Sequence, residues 1–402
     1  MLHIEHDTDP RPATKQYADG LWAANPRLSP DWWRELQGHT VGKLALDWRT
    51  TCHQPDYLNQ GCNLVLVSPA TAAQAAQHIQ AAATPAAIVT IIQGDDLTVL
   101  AQSAATFALW QQPANLAEHQ RHSGLQQLED AVRQGHIQAY GVVLGPACTH
   151  PLHLWLNAAA EAAQTVYGRR KRPALRLLGA QQDLLHLDLF THPSTLHHAE
   201  AVSALELASR LGLSTLLLPL SLPQVPPATP PAAALQALTA AAQAEASLNQ
   251  ALGGWPQTQG QPLFSLLAAL GQGQPPWPTP WVWQAWQAHV WPTLLQQWQA
   301  LALAGPADTA RSSYITALEN LLPHAAALAE AAAQPLQSQM LASLTPRLPM
   351  LWQTQPPQAQ ALAILSGLAG ADCIAVARPF ALESFRLQPG LPDAAALLLN
   401  AA

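Results

Sequence analysis

Sixteen histidines and four cysteines stand in this chain, so the first question is whether any of them lie close enough in sequence to share a chemical task. Cys148, His150 and His153, in the run ACTHPLH, offer thiolate and imidazole ligands of the kind that hold Zn²⁺. Three ligands with no obvious fourth describe a short polar loop equally well, and no metal site is assigned to them. A second cluster, His192, His197 and His198 in FTHPSTLHH with Asp188 just upstream, collects groups able to exchange protons near neutral pH. His192 or Asp188 could act as a base there, and a solvated loop is the plainer reading. Arg169, Arg170, Lys171 and Arg172 form the only basic run, with Pro173 fixing the turn. Such a run either grips a phosphate or an acidic partner or is ordinary exposed charge. GQGQPP at 271–276 lacks the following lysine and the strand-to-helix setting of a phosphate loop.

Composition narrows the classes of function. Of 402 residues 49% are hydrophobic and 11% charged, against roughly a quarter charged in an average soluble domain. A disordered, highly charged chain is excluded. The net charge of −7, with 18 Lys and Arg spread thinly, argues against a surface built to neutralise nucleic-acid phosphates. Cys52, Cys62, Cys148 and Cys373 are far apart and show no CxxC pairing, as expected of reduced thiols in a cytosolic protein. MLHIEHDTDPRP puts acids where a signal peptide needs a basic start, and no uncharged apolar run reaches the about 18 residues of a membrane span. The chain is expected to be soluble and cytoplasmic, with no transmembrane segment and no nucleic-acid partner.

The elements that must position any site alternate along the chain. Eight short, near-continuously apolar runs read as strands buried on both faces: KLALDW (43–48), NLVLVS (63–68), AAIVTII (86–92), ATFALW (105–110), AYGVVL (139–144), LHLDLF (185–190), STLLLPL (214–220) and CIAVA (373–377). Helical stretches lie between them, including 70–83, 125–134 and 199–211, the last stopped by Gly212. Alternating strand and helix, with eight strands, predicts an α/β fold: a closed (β/α)₈ TIM barrel. From Leu220 to Cys373 no strand is legible, which predicts a large all-helical insertion between strands seven and eight. The expected organisation is an N-terminal leader packed on the barrel (1–40), a barrel (41–221 and 360–402) and a helical insertion (222–359).

Inside the insertion Thr279 and Pro280 read as an N-cap and a first-turn proline. Trp283, Trp286, Val290, Leu294 and Trp298 follow at helical spacing, and Pro292 must kink or restart the helix. With Trp281 and Trp291 this is the densest aromatic cluster in the chain. It reads either as a helix pair covering the barrel or as a docking face for a protein partner or membrane surface. Few basic residues lie nearby, which counts against the membrane.

Several segments, in the order of a barrel, resemble the aldo/keto reductase family. GLQQLEDAVRQGHIQAYGVV (124–143) is similar to the family's helix leading into its fifth strand, and GCNLVLVS (61–68) to its second strand. ALELASRLGLSTLLLPLSL (204–222) resembles the seventh unit and ADCIAVARPFALES (371–384) the eighth strand. The pattern is nearest to long reductases that carry a helical insertion before the last strand. The resemblance implies NADP(H)-dependent carbonyl reduction by an Asp, a Tyr, a Lys and a His at the C-terminal mouth of the strands, the tyrosine protonating the carbonyl oxygen.

Those four positions fall on Leu66, Thr71, Ile91 and Trp110. The acid–base set is therefore expected to be lost, and the mouth to be lined by apolar side chains. Only about a dozen residues join the third strand to the fourth, too few for the usual helix and catalytic loop. For the cofactor the resemblance leaves Arg378, after the last strand, as one binding residue. Leu217 and Leu218 replace an Asn-Arg pair, and Leu144, Gly145 and Pro146 follow the fifth strand where a Ser-Asn pair is expected. NADP(H) is thus possible but more simply absent. The expectation is a non-catalytic scaffold or partner-binding barrel. Two alternatives stay open: an NADP(H)-dependent oxidoreductase with a rearranged site near Tyr57, His53 or Asp47, and a ligand sensor without turnover.

Overall fold

A short apolar strand cannot satisfy its own backbone amides and carbonyls, so runs such as those above are stable only when paired side by side. In the computed structural model they pair into a closed ring. The strands are β1 (Leu44–Trp48), β2 (Leu64–Val67), β3 (Ala87–Gln93), β4 (Phe107–Gln111), β5 (Ala139–Leu144), β6 (Leu175–Gln182), β7 (Ser214–Pro219) and β8 (Cys373–Val376). Each is parallel to its sequence neighbours, and β8 pairs with both β7 and β1 to close the barrel. The closure is held across a long loop: Thr215 N–H donates to Asp372 Oδ2 at 2.8 Å, and Asp372 N–H to the Thr215 carbonyl at 3.2 Å. The residues described are 35–36, 39–40, 44–49, 58, 64–82, 86–94, 96–102, 105–111, 117–146, 148, 151–168, 172–187, 195–197, 200–223, 229–254, 257–258, 261–262, 279–300, 302–367 and 372–376.

Alternation of side chains along each strand builds two cores. One buried cluster takes Ala45, Leu66, Ile91, Leu109, Val143, Leu177, Leu218 and Ala375, one from each strand. Only the barrel interior can bring these eight together. The odd-numbered partners of β4 face inward, so Trp110 faces outward to the helices α1 (Ala72–Ala81), α2 (Glu118–Arg133), α3 (Leu152–Tyr167) and α4 (Ala204–Arg210). There it meets Trp155 edge to face at 6.0 Å between ring centroids, and it lies so close over α2 that a Cβ on Gly124 would stand 2.2 Å from its ring. Glycine is required at that crossing.

Against their sequence limits α1 and α4 are shorter, whereas α2 begins at Glu118, well ahead of the expected 125. The stretch 199–211 begins as a hairpin, Thr195–His197 against Glu200–Val202, before Ser203 caps α4 by accepting the Glu206 N–H at 3.1 Å. Gly212, at φ +66°, ends it as expected. Between β3 and β4 the short connection holds a single 3₁₀ turn, Thr98–Gln102.

The sixth strand is the main correction. It is LRLLGAQQ at Leu175–Gln182, not 185–190. Leu184–His186 is a 3₁₀ turn capped by Asp183, and 188–190 lie outside the described residues. The LHLDLF alternation mimics a half-buried strand, whereas the true strand ends in two glutamines that hide its apolar character. Both glutamines are nonetheless buried.

Contacts divide the chain into two compact units, Met1–Pro219 with Ser343–Ala402, and Leu220–Ala342. In the first, after the 3₁₀ turn Thr345–Arg347, α9 (Met350–Gln353) and α10 (Pro357–Ser366) lead into β8. The second unit contains α5 (Ala232–Ala251), α6 (Pro280–Ala285), α7 (Trp291–Ala300) and most of α8 (Pro306–Leu344), with a two-residue hairpin at 257–262 as its only strands among the described residues. Thr279 and Pro280 start α6 as predicted. Pro292 has no N–H to give and crowds the carbonyl four residues back, and a π turn, Trp286–Val290, widens the ladder just upstream of it. Trp283, Trp286 and Trp298 are buried in this unit's own core with Leu248, Tyr314 and Leu318. Trp283 and Trp286 stack at 5.1 Å, and the Tyr314 hydroxyl donates to buried Glu245. These three tryptophans are committed to internal packing and cannot form a docking face; Trp281 and Trp291 are half-buried. Among the described residues no helix is long and apolar enough to cross a membrane.

Candidate functional site

Parallel barrels carry their chemistry at the C-terminal ends of the strands, and four of the expected positions can be placed there or excluded. Leu66 and Ile91 lie in the inner cluster, 0% and 2% exposed. Thr71 closes the turn after β2: its Oγ1 accepts the Ser68 N–H at 3.1 Å and its own N–H donates to the Ser68 carbonyl at 3.1 Å. Trp110 does not reach the mouth, a consequence of its outward parity on β4. Its indole Nε1 donates to the Gly94 carbonyl at 2.7 Å, pinning the end of β3 to the end of β4.

The mouth is less apolar than expected. Asp47, two residues beyond inward-facing Ala45, is clamped by Arg49, whose Nε and Nη2 reach its two carboxylate oxygens at 2.8 and 2.6 Å. Burial by itself pulls the Arg49 pKa down, but the hydrogen bond and charge of Asp47 outweigh it and the guanidinium is pushed up. Gln93 donates to Gln111 at 3.4 Å across the ends of β3 and β4. Gln181, inward on β6, lies against the turn after β5 so closely that a Cβ on Gly145 would come within 2.0 Å of its Oε1. Next to it, Asp183 accepts the Leu185 N–H at 3.0 Å and stands 2.8 Å from His186 Nδ1. None of these pairs was legible in the sequence except Asp47. The signal for Asp183 and His186, an acid and a histidine three residues apart, was hidden because the strand that positions them was sought ten residues too late.

The other candidate residues scatter. Cys148 is half-buried, bridged to Gly145, and His153 is buried at the start of α3, its Nδ1 2.7 Å from Thr195 Oγ1. Among the described residues no group of three His, Cys, Asp or Glu could hold a metal. His150, His192, His198, Asp188, Tyr57, His53, Arg378, Arg169, Arg170 and Lys171 lie outside the described residues, as does the side chain of His197. Arg172 is described: burial, then the charge of Arg176, lowers it to about 9.

A second ionisable cluster sits at the opposite end of the barrel, where the strands begin. Glu129 of α2, fully buried, accepts from the Tyr140 hydroxyl at 2.9 Å and the Ala174 N–H at 2.8 Å. Burial pulls Arg176 down to about 10 against the charge of Glu129, so it is a cation at neutral pH. Groups at that face read as stability rather than chemistry. Burial, then Glu129, pushes the Tyr140 phenol well above its ordinary value of 10.0. Below pH 10 folded and unfolded chains both keep this proton; above it the unfolded phenol releases it and the folded one does not, so stability is lost with rising pH. Urea midpoints are expected to fall between pH 9 and 11 more steeply in the wild type than in Tyr140→Phe.

No protein-family model matches the chain, and no curated protein does. Among solved structures it is similar to a candidate 2,5-diketo-D-gluconic acid reductase B, at 12% identity and a TM-score of 0.32, covering 46% of this chain and 63% of that one, under two thirds of its length. It is also similar to a glycerol dehydrogenase from Gluconobacter oxydans, at 13% identity and a TM-score of 0.29, covering 71% of this chain and 93% of that one. Likenesses this distant add nothing to the strand order, which by itself makes the first unit a closed, parallel eight-stranded barrel.

Proposed function

We propose that this chain is an aldo/keto-reductase-like barrel that does not reduce carbonyls and acts as a binding or scaffold protein in the cytoplasm. One observation carries it: where the family resemblance requires an acid and an ammonium, Leu66 and Ile91 fill the inner core with hydrocarbon. With Thr71 closing a turn and Trp110 turned to the helices, none of the four positions offers a proton. General acid–base catalysis supplies about 10²–10⁴ in rate, and its loss leaves any carbonyl substrate nearly inert. Asp47 does not substitute for it, since its carboxylate is held by Arg49.

The cofactor goes the same way. Leu218 points into the inner cluster, Leu217 is buried, and the turn at Gly145 is filled by Gln181, so hydrocarbon and a close backbone stand where the resemblance expects nicotinamide contacts. Cys148 and Cys373 are in no disulfide, which fits a reducing compartment. A partner would engage the helical insertion (222–359) through surface other than its buried tryptophans.

Titration with NADPH, read by energy transfer from tryptophan, together with an aldehyde panel followed by NADPH oxidation, tests both halves. The expected result is no saturation up to millimolar cofactor and no turnover. Tight binding without turnover would make the barrel a cofactor sensor, and turnover would overturn the proposal.

A further inference from the structure

Arg121 and Trp155 stand in the first turns of α2 and α3, whose N-termini follow β4 and β5 at the mouth end of the barrel. The Arg121 guanidinium lies over the Trp155 ring, 5.8 Å from its centroid, and the two residues are 8% and 0% exposed. A stacked ring answers the charge of a guanidinium but accepts none of the N–H groups in its plane. Arg121 Nε is buried without a hydrogen-bond partner among the described residues, and so is the indole Nε1–H of Trp155. Glu118 Oε1 stands 3.8 Å from Arg121 Nη2, beyond hydrogen-bond distance, and 91% of the Glu118 side chain is in solvent against 10% for Arg121. Helical side chains lean back over the preceding turn, so the guanidinium lies along the start of α2. Ala117 is the N-cap there and has no side-chain oxygen to accept the free N–H groups of that turn. A buried cation, orphan donors and the positive end of a helix all call for an acceptor that carries negative charge.

We infer that Arg121 anchors a binding site for a carboxylate at the start of α2, on the outer side of the barrel mouth. The ligand class follows from the guanidinium itself. Nε and Nη2 project hydrogens from one edge, spaced to match the two oxygens of a carboxylate. Arg49 uses that same edge on Asp47, at 2.8 and 2.6 Å. On Arg121 the Nε is unfilled and Nη2 meets Glu118 only from 3.8 Å. Trp155 supplies the face against which the guanidinium is held, and outward-turned Trp110 backs that ring edge to face. With nine-tenths of the Arg121 side chain covered, the site admits one slender group, the carboxylate of a small acid or of a chain end, and not a flat charged surface. Glu118 opposes such a ligand by charge and, standing in solvent, turns aside at little cost. The inference does not rest on the loss of carbonyl reduction, since it needs neither turnover nor NADP(H).

Nitrogen-edited NMR of the labelled full-length chain tests this, with the Arg121 Nε–H and Trp155 indole signals identified by their loss in Arg121→Lys and Trp155→Phe. Sodium acetate, compared with sodium chloride at equal ionic strength, is expected to shift both signals with half-saturation at about 1–10 mM. Acetyl-glycylglycine carries the same group on a peptide end, and the tighter of the two probes names the source of the carboxylate. Arg121→Lys keeps the charge and loses the fork, and is expected to weaken acetate about tenfold or more, read from the indole signal. Glu118→Gln is expected to tighten it about two- to threefold, whereas an arginine with only a structural role would show no acetate binding for either variant to change. No shift beyond chloride from either probe, or an unchanged acetate affinity in folded Arg121→Lys, overturns the inference. A response to chloride as large as to acetate removes the carboxylate assignment. Should Arg121→Lys not fold, the wild-type titration and Glu118→Gln decide, and an affinity that Glu118→Gln leaves unchanged overturns the site.

Discussion

Replacing Leu66 by aspartate, which restores the acid that the family resemblance places on the second strand, is expected to destabilise the barrel by about 3–5 kcal/mol at neutral pH and to restore no carbonyl reduction. Leu66 has no exposure and its neighbours in the inner cluster are hydrocarbon: Leu64, Val89, Ile91 and Leu109 among them. A carboxylate there has neither water nor a cation, so its charged form is penalised and its proton is held more tightly folded than unfolded. The deficit is therefore largest above the ordinary carboxylate range and shrinks as pH falls through it. Urea unfolding at pH 7 and pH 4, with the aldehyde assay alongside, measures both parts. A variant as stable as the wild type would mean that the cluster admits water or a counter-charge, and the proposed loss of function would lose its main support.

Glu129→Ala should cost a similar amount, about 3–5 kcal/mol, for the opposite reason. There a charge that belongs in the interior is taken away. The Tyr140 hydroxyl and the Ala174 N–H lose a buried acceptor, and Arg176, held charged partly by Glu129, loses its countercharge. Glu129→Gln keeps an oxygen for these donors and is expected to cost about half as much. Equilibrium unfolding in urea ranks the three proteins. Equal stability of all three would show that Arg176 and Tyr140 find other partners.

How much of this was legible in sequence depended on whether the signal was local. Seven of the eight barrel strands match the expected apolar runs to within two residues at either end, because a strand buried on both faces has to be apolar nearly throughout. The sixth escaped: LRLLGAQQ buries two glutamines, whose amides are satisfied or tolerated only by what the fold brings to them. Missing it displaced the site, since Asp183 and His186 then seemed to lie in an unremarkable connection. Trp110 shows the complementary failure. Its place in the sequence suited the mouth, but one step of strand parity turns a side chain to the other face, and on β4 that step sends the indole to the helices.

The tryptophans of the insertion follow the same division. Helical spacing, the Thr279–Pro280 start and the interruption at Pro292 are consequences of backbone chemistry within a few residues, and all could be read from the text. Whether Trp283, Trp286 and Trp298 cover this unit's own core or present a docking face depends on which helices stand opposite, and no local pattern encodes that.

Sequence alone thus determined the alternation of strand and helix, the closed barrel and the absence of ionisable residues at Leu66, Thr71, Ile91 and Trp110, because periodicity and residue identity are properties of the chain itself. Tertiary structure alone decided that Leu66 and Ile91 are sealed inside the barrel, that Asp47 is neutralised by Arg49, and that a buried carboxylate meets an imidazole at the mouth. Burial and pairing depend on which strand ends converge, and register, parity and closure set that convergence.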